Sequence, residues 1–144
     1  MRYVTRARVH VDRIATAWAI CRFVDPEATF VFVDRLRDVR GLDAIPFDIR
    51  GAKLGHRGGR CTFETLLAVY ELIEPGLSRM ASIIRSADLP HEGEEPPESP
   101  GVAAIFDGLR DSDLGDPERL QRGFAVCEGL FRYCAATAVS SAHD

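Results

Sequence analysis

The stretch RYVTRARVHVDRIATAWAICRFVDPEATFVFV, residues 2–33, decides the fold. Its opening RYVT predicts a strand, and TFVFV at 29–33 predicts a second strand that is buried, because it is β-branched and aromatic. Between them, apolar residues recur at helical spacing, at Ile14, Ala17, Trp18 and Cys21. Asp12 is placed to cap the start of this helix, and the pair Asp25-Pro26 ends it. The stretch therefore predicts a β-α-β unit with parallel strands.

The rest of the chain adds one more strand and several helices. AIPFDIRG predicts a third strand ending at Gly51, and the helix that begins near Thr62 has that residue as its candidate N-cap. Three further helical segments follow. We expect an α+β or small α/β domain, with a short, mostly parallel sheet from the N-terminal half, covered by helices, and a helical C-terminal half. It forms one domain over residues 1–139, with an acidic loop rich in Pro and Glu at 90–101 and a frayed tail at 140–144.

Composition excludes several classes of protein. The chain has 144 residues, 46% of them apolar, and a net charge of −4. This net charge gives no support to nucleic-acid binding. The sequence has no apolar stretch of 18 residues, so we expect no membrane span. The N-terminus has no signal-peptide pattern. Four scattered cysteines without a C-x-x-C pair predict reduced thiols in the cytoplasm, with Cys127 and Cys134 in the core.

Polar residues at predicted strand ends suggest a metal site. His10 and Asp12 alternate after the first strand, Asp48 closes the third, and His56 lies in the glycine-rich loop that follows. Imidazole and carboxylate are ordinary ligands of Zn²⁺, Mn²⁺ or Fe²⁺. Under the alternative interpretation Asp12 caps a helix, Asp48 closes a turn and both histidines are surface groups. Of the first pair, His10 is the stronger ligand candidate because it has no capping role to explain its position.

The loop around His56 suggests a second ligand, an oxyanion. The run RGAKLGHRGGR, residues 50–60, contains four cations and no acid. Glycines expose backbone N–H groups, and a following helix start adds a positive dipole, so the loop suits phosphate, sulfate or chromate. A solvated basic loop is the alternative. Cys61, just before the helix, is a candidate nucleophilic or redox thiol, or else a packed cysteine.

The ordered motifs resemble a known family. DRIATAW, PFDI, LGHRGGRCTF and RSAD occur in the order typical of the C-terminal domain of ChrB-type chromate resistance proteins. The resemblance covers residues 2–88 and continues more loosely to the last helix. Family members often carry Cys-Pro where this chain has Thr16 and Ala17, so a role for that cysteine is absent here. Longer relatives add an N-terminal region linked to transcription control, and no DNA-binding role is carried over.

A more distant likeness is to DHH-type metal-dependent phosphoesterases. It implies that a later aspartate, Asp88, completes the metal site. For a domain that binds a metal and an oxyanion, Glu64 is a further candidate ligand, and Arg13, Arg57 and Arg60 are the candidate anion contacts. This chain has one loop histidine rather than a pair, and it lacks the substrate domain of those enzymes. Three functions follow as expectations. The first is a domain that binds a divalent metal and an oxyanion and reports this to a partner, with a homo-oligomer as one option. The second is a hydrolase that uses a metal-activated water, and the third is a domain with no small-molecule site.

Overall fold

A computed structural model describes residues 1–89 and 94–143, and for residues 139–143 it describes the backbone alone. His91 and the side chain of His143 lie outside this description. Residues 90–93 of the predicted 90–101 loop also lie outside it. The final helix begins well before the predicted tail and runs to His143.

Three parallel strands form the sheet, as the sequence predicts. β1 (Arg2–Arg6) lies in the centre, with β2 (Thr29–Val33) on one side and β3 (Ile45–Pro46) on the other. The three middle residues of β1 are buried, whereas β2 is only half-buried. The prediction of a buried second strand was therefore wrong, because β2 is an edge strand. β3 is two residues long, shorter than the segment AIPFDIRG.

Five α-helices occur within residues 1–89 and 94–143. They are α1 (Val11–Ala19), α2 (Thr62–Val69), α3 (Leu77–Asp88), α4 (Ser99–Arg110) and α5 (Asp116–His143). α1 continues as a π-helical turn over Ile20–Val24, and a 3₁₀ helix spans Leu36–Val39. α4 begins inside the predicted 90–101 loop. None of these helices, within the described residues, is long and apolar enough to cross a membrane.

α1 is the central helix of the core. It packs against α2, α3, α4 and α5, and all its residues except Arg13 are buried. α5 approaches it closely at Gly123, where an added Cβ would lie 2.4 Å from a methyl carbon of Ile14. Cys127 and Cys134 are buried free thiols, which confirms their prediction as core residues.

A tight turn connects β1 to α1 and fixes where the helix begins. Arg8 adopts a left-handed backbone conformation with a φ of 63°. The backbone N–H groups of Arg8 and Val9 each donate to a carboxylate oxygen of Asp116 at 3.0 Å. α1 then begins at Val11, with His10 at the N-cap position. The prediction that Asp12 caps α1 was wrong, since the helix starts one residue before it.

Candidate metal centre

The Asp12 carboxylate caps α2 instead of its own helix. Its Oδ2 accepts a hydrogen bond from the N–H of Thr62, and its Oδ1 accepts one from the N–H of Phe63, both at 2.9 Å. These are two of the N–H groups that a helix start leaves without an intrahelical partner. The N-cap of α2 is Cys61, not Thr62 as predicted. Only 1% of Asp12 is exposed, so a buried charge joins the two helices.

Asp48 lies beside Asp12, just past β3. Its backbone is left-handed, with a φ of 50°, and its N–H donates to the carbonyl of Leu54 at 2.7 Å. Its Oδ1 accepts a hydrogen bond from Thr62 Oγ1 at 2.7 Å. Burial, followed by the nearby Asp12 carboxylate, raises the pKa of Asp48. Thr62, considered from sequence only as a cap, thus positions a carboxylate of the site.

His56 completes a group of three ligand atoms. Its Nε2 lies 3.3 Å from Asp12 Oδ2 and 3.3 Å from Asp48 Oδ1. One ligand atom from each of the three residues lies within 4.8 Å of the others. Ligands bonded to one cation at about 2.0–2.2 Å are separated by roughly 3.0–3.5 Å, so these contacts match the edges of a coordination shell. Three of the predicted ligands therefore meet at the carboxyl ends of the strands, as α/β sheets favour.

Asp88 lies at the end of α3, close enough to this group for their charges to interact. Burial raises its pKa to about 7, and the carboxylates of Asp12 and Asp48 add to the shift. Its charge in turn contributes to the raised pKa of His56. No hydrogen bond of the Asp88 side chain occurs within the described residues. Asp88 is therefore a carboxyl group near the three ligands, available to a bound cation.

His10 does not belong to the group. Its Nε2 lies 2.7 Å from Asp107 Oδ1 on α4, and only a fifth of its side chain is exposed. Burial lowers the pKa of His10, against the opposing effect of Asp107. The side chains of His10 and Asp12 diverge because residue 12 is already inside a helix, where each residue turns by about 100°. The structure thus places the stronger sequence candidate of the pair outside the cluster.

Arg13 supports Asp48 from inside the protein. Its Nε donates to Asp48 Oδ2 at 3.0 Å and its Nη2 to the Asp48 carbonyl at 3.1 Å, while Nη1 donates to the carbonyl of Arg6 at 3.0 Å. The side chain is 18% exposed. These bonds commit the guanidinium to Asp48, so its predicted role as an anion contact gives way to a positioning role.

Replacing Arg13 with lysine tests this positioning role. Arg13→Lys keeps the charge but removes the planar fork that reaches three acceptors. We expect the free energy of unfolding to fall by about 1–2 kcal/mol, because at least two hydrogen bonds to partly buried oxygens are lost. Urea denaturation measures it, and Arg132→Lys, on a 75% exposed side chain of α5, is the matched control. Equal stability of the two variants would contradict the positioning role.

Two predicted anion contacts, Arg57 and Arg60, flank a two-glycine turn. The backbones of Arg57 and Arg60 pair with each other at 3.2 and 2.8 Å, and Gly58 and Gly59 have φ values of 52° and 77°. Both arginines are exposed, and within the described residues no carboxylate lies within 4.0 Å of their side-chain nitrogens. Arg57 directly follows His56, and Arg60 also lines a groove beside α2. The turn therefore presents unpaired positive charge next to the three ligands.

Cys61 is a poor candidate for thiol chemistry. It is fully buried, and its N–H donates to Glu64 Oε1 at 3.1 Å. Burial, and then the charge of Asp12, raises the pKa of its thiol. A raised pKa disfavours the thiolate, which is the nucleophilic form. Glu64, the other added ligand candidate, is thus engaged with the start of its own helix and lies 3.8 Å from Arg85.

The site makes the stability of the metal-free protein depend on pH. The hydrogen bond to Asp12 raises the pKa of His56 from 6.5 to about 9, and burial raises that of Asp88 from 3.8 to about 7. Both pKa values are higher in the folded state, so the stability that protonation confers is lost as pH rises. The contribution of Asp88 to the free energy of unfolding is lost between pH 3.8 and about 7, and that of His56 between pH 6.5 and about 9.

We therefore expect metal-free protein in EDTA to be more stable at pH 6.5 than at pH 8.5. Urea denaturation at the two pH values gives the difference. His56→Gln keeps a hydrogen-bond donor but cannot take up a proton, so the drop should shrink in this variant. A variant with the full drop would rule out His56 as its cause.

Comparisons with known proteins show the family of this chain. The sequence model of the family described as ChrB, C-terminal domain, matches residues 3–134. The chain is also 36% identical over 132 residues to the protein ChrB of Cupriavidus metallidurans, which covers 91% of this chain and 40% of that protein. No solved structure matches the chain. The likeness to DHH-type phosphoesterases receives no support from these comparisons.

The match covers all of the sheet except Arg2 and reaches into α5, and thus includes every residue of the candidate metal centre. This small α+β domain belongs to the ChrB C-terminal domain family, the family of the ChrB-type chromate resistance proteins that its motifs resemble. The chain spans less than half the length of its curated relative.

Proposed function

We propose that this chain is the metal-binding domain of a chromate resistance system and that it holds one divalent cation. The observation that carries the proposal is the convergence of Asp12, Asp48 and His56, with ligand atoms within 4.8 Å. Two carboxylates and one imidazole suit Zn²⁺, Mn²⁺ or Fe²⁺. Hydrogen bonds from α2 and Arg13 hold both carboxylates in place, as outer partners of metal ligands do.

The cation would compete with the proton on His56. In the metal-free protein the protonated imidazole balances two carboxylates, and a metal ion needs the neutral form. The metal therefore replaces one positive charge with two, close to the carboxyl groups of Asp12, Asp48 and Asp88. This gain of charge against three carboxyl groups favours the bound ion.

An oxyanion is the second ligand that we propose. Three protein ligands leave coordination positions open, and the exposed Arg57 lies directly after His56 with no carboxylate within 4.0 Å among the described residues. A phosphate- or chromate-like anion would contact the cation and this arginine together. Anion binding would then depend on the metal.

Thermal denaturation tests this dependence. Chromate and phosphate are added separately to protein stripped with EDTA and to protein loaded with Zn²⁺ or Mn²⁺. We expect the anions to raise the melting temperature of the loaded protein only, and Arg57→Ala to lose this increase while Arg132→Ala keeps it. Equal stabilisation of stripped and loaded protein would contradict a metal-bound oxyanion.

A hydrolase is the alternative function. The open coordination positions favour it, since a metal-bound water is a nucleophile at neutral pH, and Asp88 places another carboxyl group beside it. Loaded protein is assayed with bis(4-nitrophenyl) phosphate. Turnover that requires Mn²⁺ or Zn²⁺ and is lost in Asp48→Asn would support the hydrolase; metal and anion binding without turnover would support a sensor domain.

A further inference from the structure

A groove between α2 and α3 lies outside the candidate metal centre. Its volume is about 730 Å³, large among surface pockets that bind ligands. Its floor is apolar, built from half-buried Leu67 and Leu72 and from buried Leu77 and Ala81. Ile73 forms part of its wall and is 90% exposed, the highest exposure among the large hydrophobic residues of the described chain. None of the three ligand residues lines it.

Charge is distributed unevenly along this groove. Glu71 and Glu74 line it in the loop that joins α2 to α3, and both are exposed. Within the described residues no basic nitrogen lies within 4.0 Å of either carboxylate. Arg60, at the opposite end of α2, lines the groove as well. The groove therefore has an acidic end beside an apolar floor.

We propose that this groove binds an amphipathic helix of a partner protein, with basic side chains over Glu71 and Glu74. An amphipathic helix in an apolar groove uses anchors at i, i+3, i+4 and i+7, and flanking charges select the partner. The α2–α3 pair supplies the apolar floor for such anchors, and the unpaired glutamates supply the selecting charge. Binding covers Ile73, which otherwise exposes its side chain to water at a cost.

The acidic end of the groove, Glu71 and Glu74, shares no residue with the proposed metal centre. This end is formed by the loop between α2 and α3. The proposed metal ligands lie elsewhere, with Asp12 in the first turn of α1 and with Asp48 and His56 after β3. Loss of metal binding through Asp48→Asn therefore leaves the groove intact. Failure of one proposal does not affect the other.

Fluorescence anisotropy with two synthetic peptides of about 18 residues tests the proposal. Both carry leucines at i, i+3, i+4 and i+7; one has lysines and the other glutamates at the flanking positions. We expect the lysine peptide to bind saturably to the full chain, and Ile73→Ser, which removes the apolar side chain without adding charge, to weaken it by about tenfold. Ile105→Ser, at a half-exposed site on α4, is the matched control and should have no effect.

A charge exchange makes the test specific. In the double variant Glu71→Lys and Glu74→Lys, we expect the preference to reverse, so that the glutamate peptide binds more tightly than the lysine peptide. Circular dichroism confirms that the exposed substitutions leave the fold intact. Equal binding of both peptides to the wild type, or an unchanged preference in the double variant, would overturn the proposal.

Discussion

Asp12→Ala is expected to lower the free energy of unfolding by about 3 kcal/mol, because two N–H groups at the start of α2 lose a charged acceptor. The N–H groups of Thr62 and Phe63 are then buried without a partner. His56 also loses the carboxylate that holds its proton. The effect is structural and needs no metal, so it is measured by urea denaturation in EDTA.

Two further variants serve as an intermediate case and a control for Asp12→Ala. Asp12→Asn retains one oxygen acceptor and should cost about half as much as the alanine variant. Asp107→Ala removes a 53% exposed aspartate whose partner is His10, and should cost less than about 1 kcal/mol. If the Asp12 and Asp107 variants lost the same stability, the capping of α2 by Asp12 would not contribute to the fold.

The second large effect concerns metal affinity and separates the two histidines. His56→Ala removes a proposed ligand and should weaken Zn²⁺ or Mn²⁺ binding by at least about a hundredfold, since loss of an outer partner alone costs 10–100-fold. His10→Ala is the matched control and should change affinity by less than a few fold. Isothermal titration calorimetry of EDTA-stripped proteins measures both. The opposite ranking would move the metal to His10 and Asp107.

The sequence predicts the fold well where local patterns and connections decide it. The β-branched runs at 2–6 and 29–33, separated by a helical pattern, require a parallel pair, and the structure confirms it. The same topology explains why Asp48 and His56 meet Asp12, since all three follow strands at one edge of the sheet. Local sequence patterns and strand topology were therefore sufficient to predict that Asp12, Asp48 and His56 lie close together.

The exceptions depend on contacts between distant residues. His10 bonds Asp107, which is 97 positions away, and the two residues show no shared pattern in the sequence. The assumption that His10 and Asp12 face one side requires an extended chain through residue 12, whereas the turn at Arg8 ends the strand early. Aspartate is a favoured N-cap residue, and at position 12 it was a misleading signal, because its carboxylate caps α2 rather than α1.

Arg13 shows that the sequence does not predict the hydrogen-bond partners of a side chain. An arginine beside a candidate site suggests an anion contact, and only the three-dimensional structure reveals its bonds to Asp48 and to the carbonyl of Arg6. Thr62 is similar, because its hydroxyl bonds a carboxylate 14 positions earlier in the chain. The sequence therefore indicates which residue types surround a site, but not which of them position its ligands.

The most direct test of the metal centre is a crystal structure of the protein soaked with Mn²⁺, with anomalous diffraction used to locate the ion. We predict one anomalous peak within about 2.0–2.2 Å of Asp12 Oδ2, Asp48 Oδ1 and His56 Nε2. A peak beside His10 and Asp107, or no peak while His56 keeps its 3.3 Å contacts to both carboxylates, would contradict the metal centre.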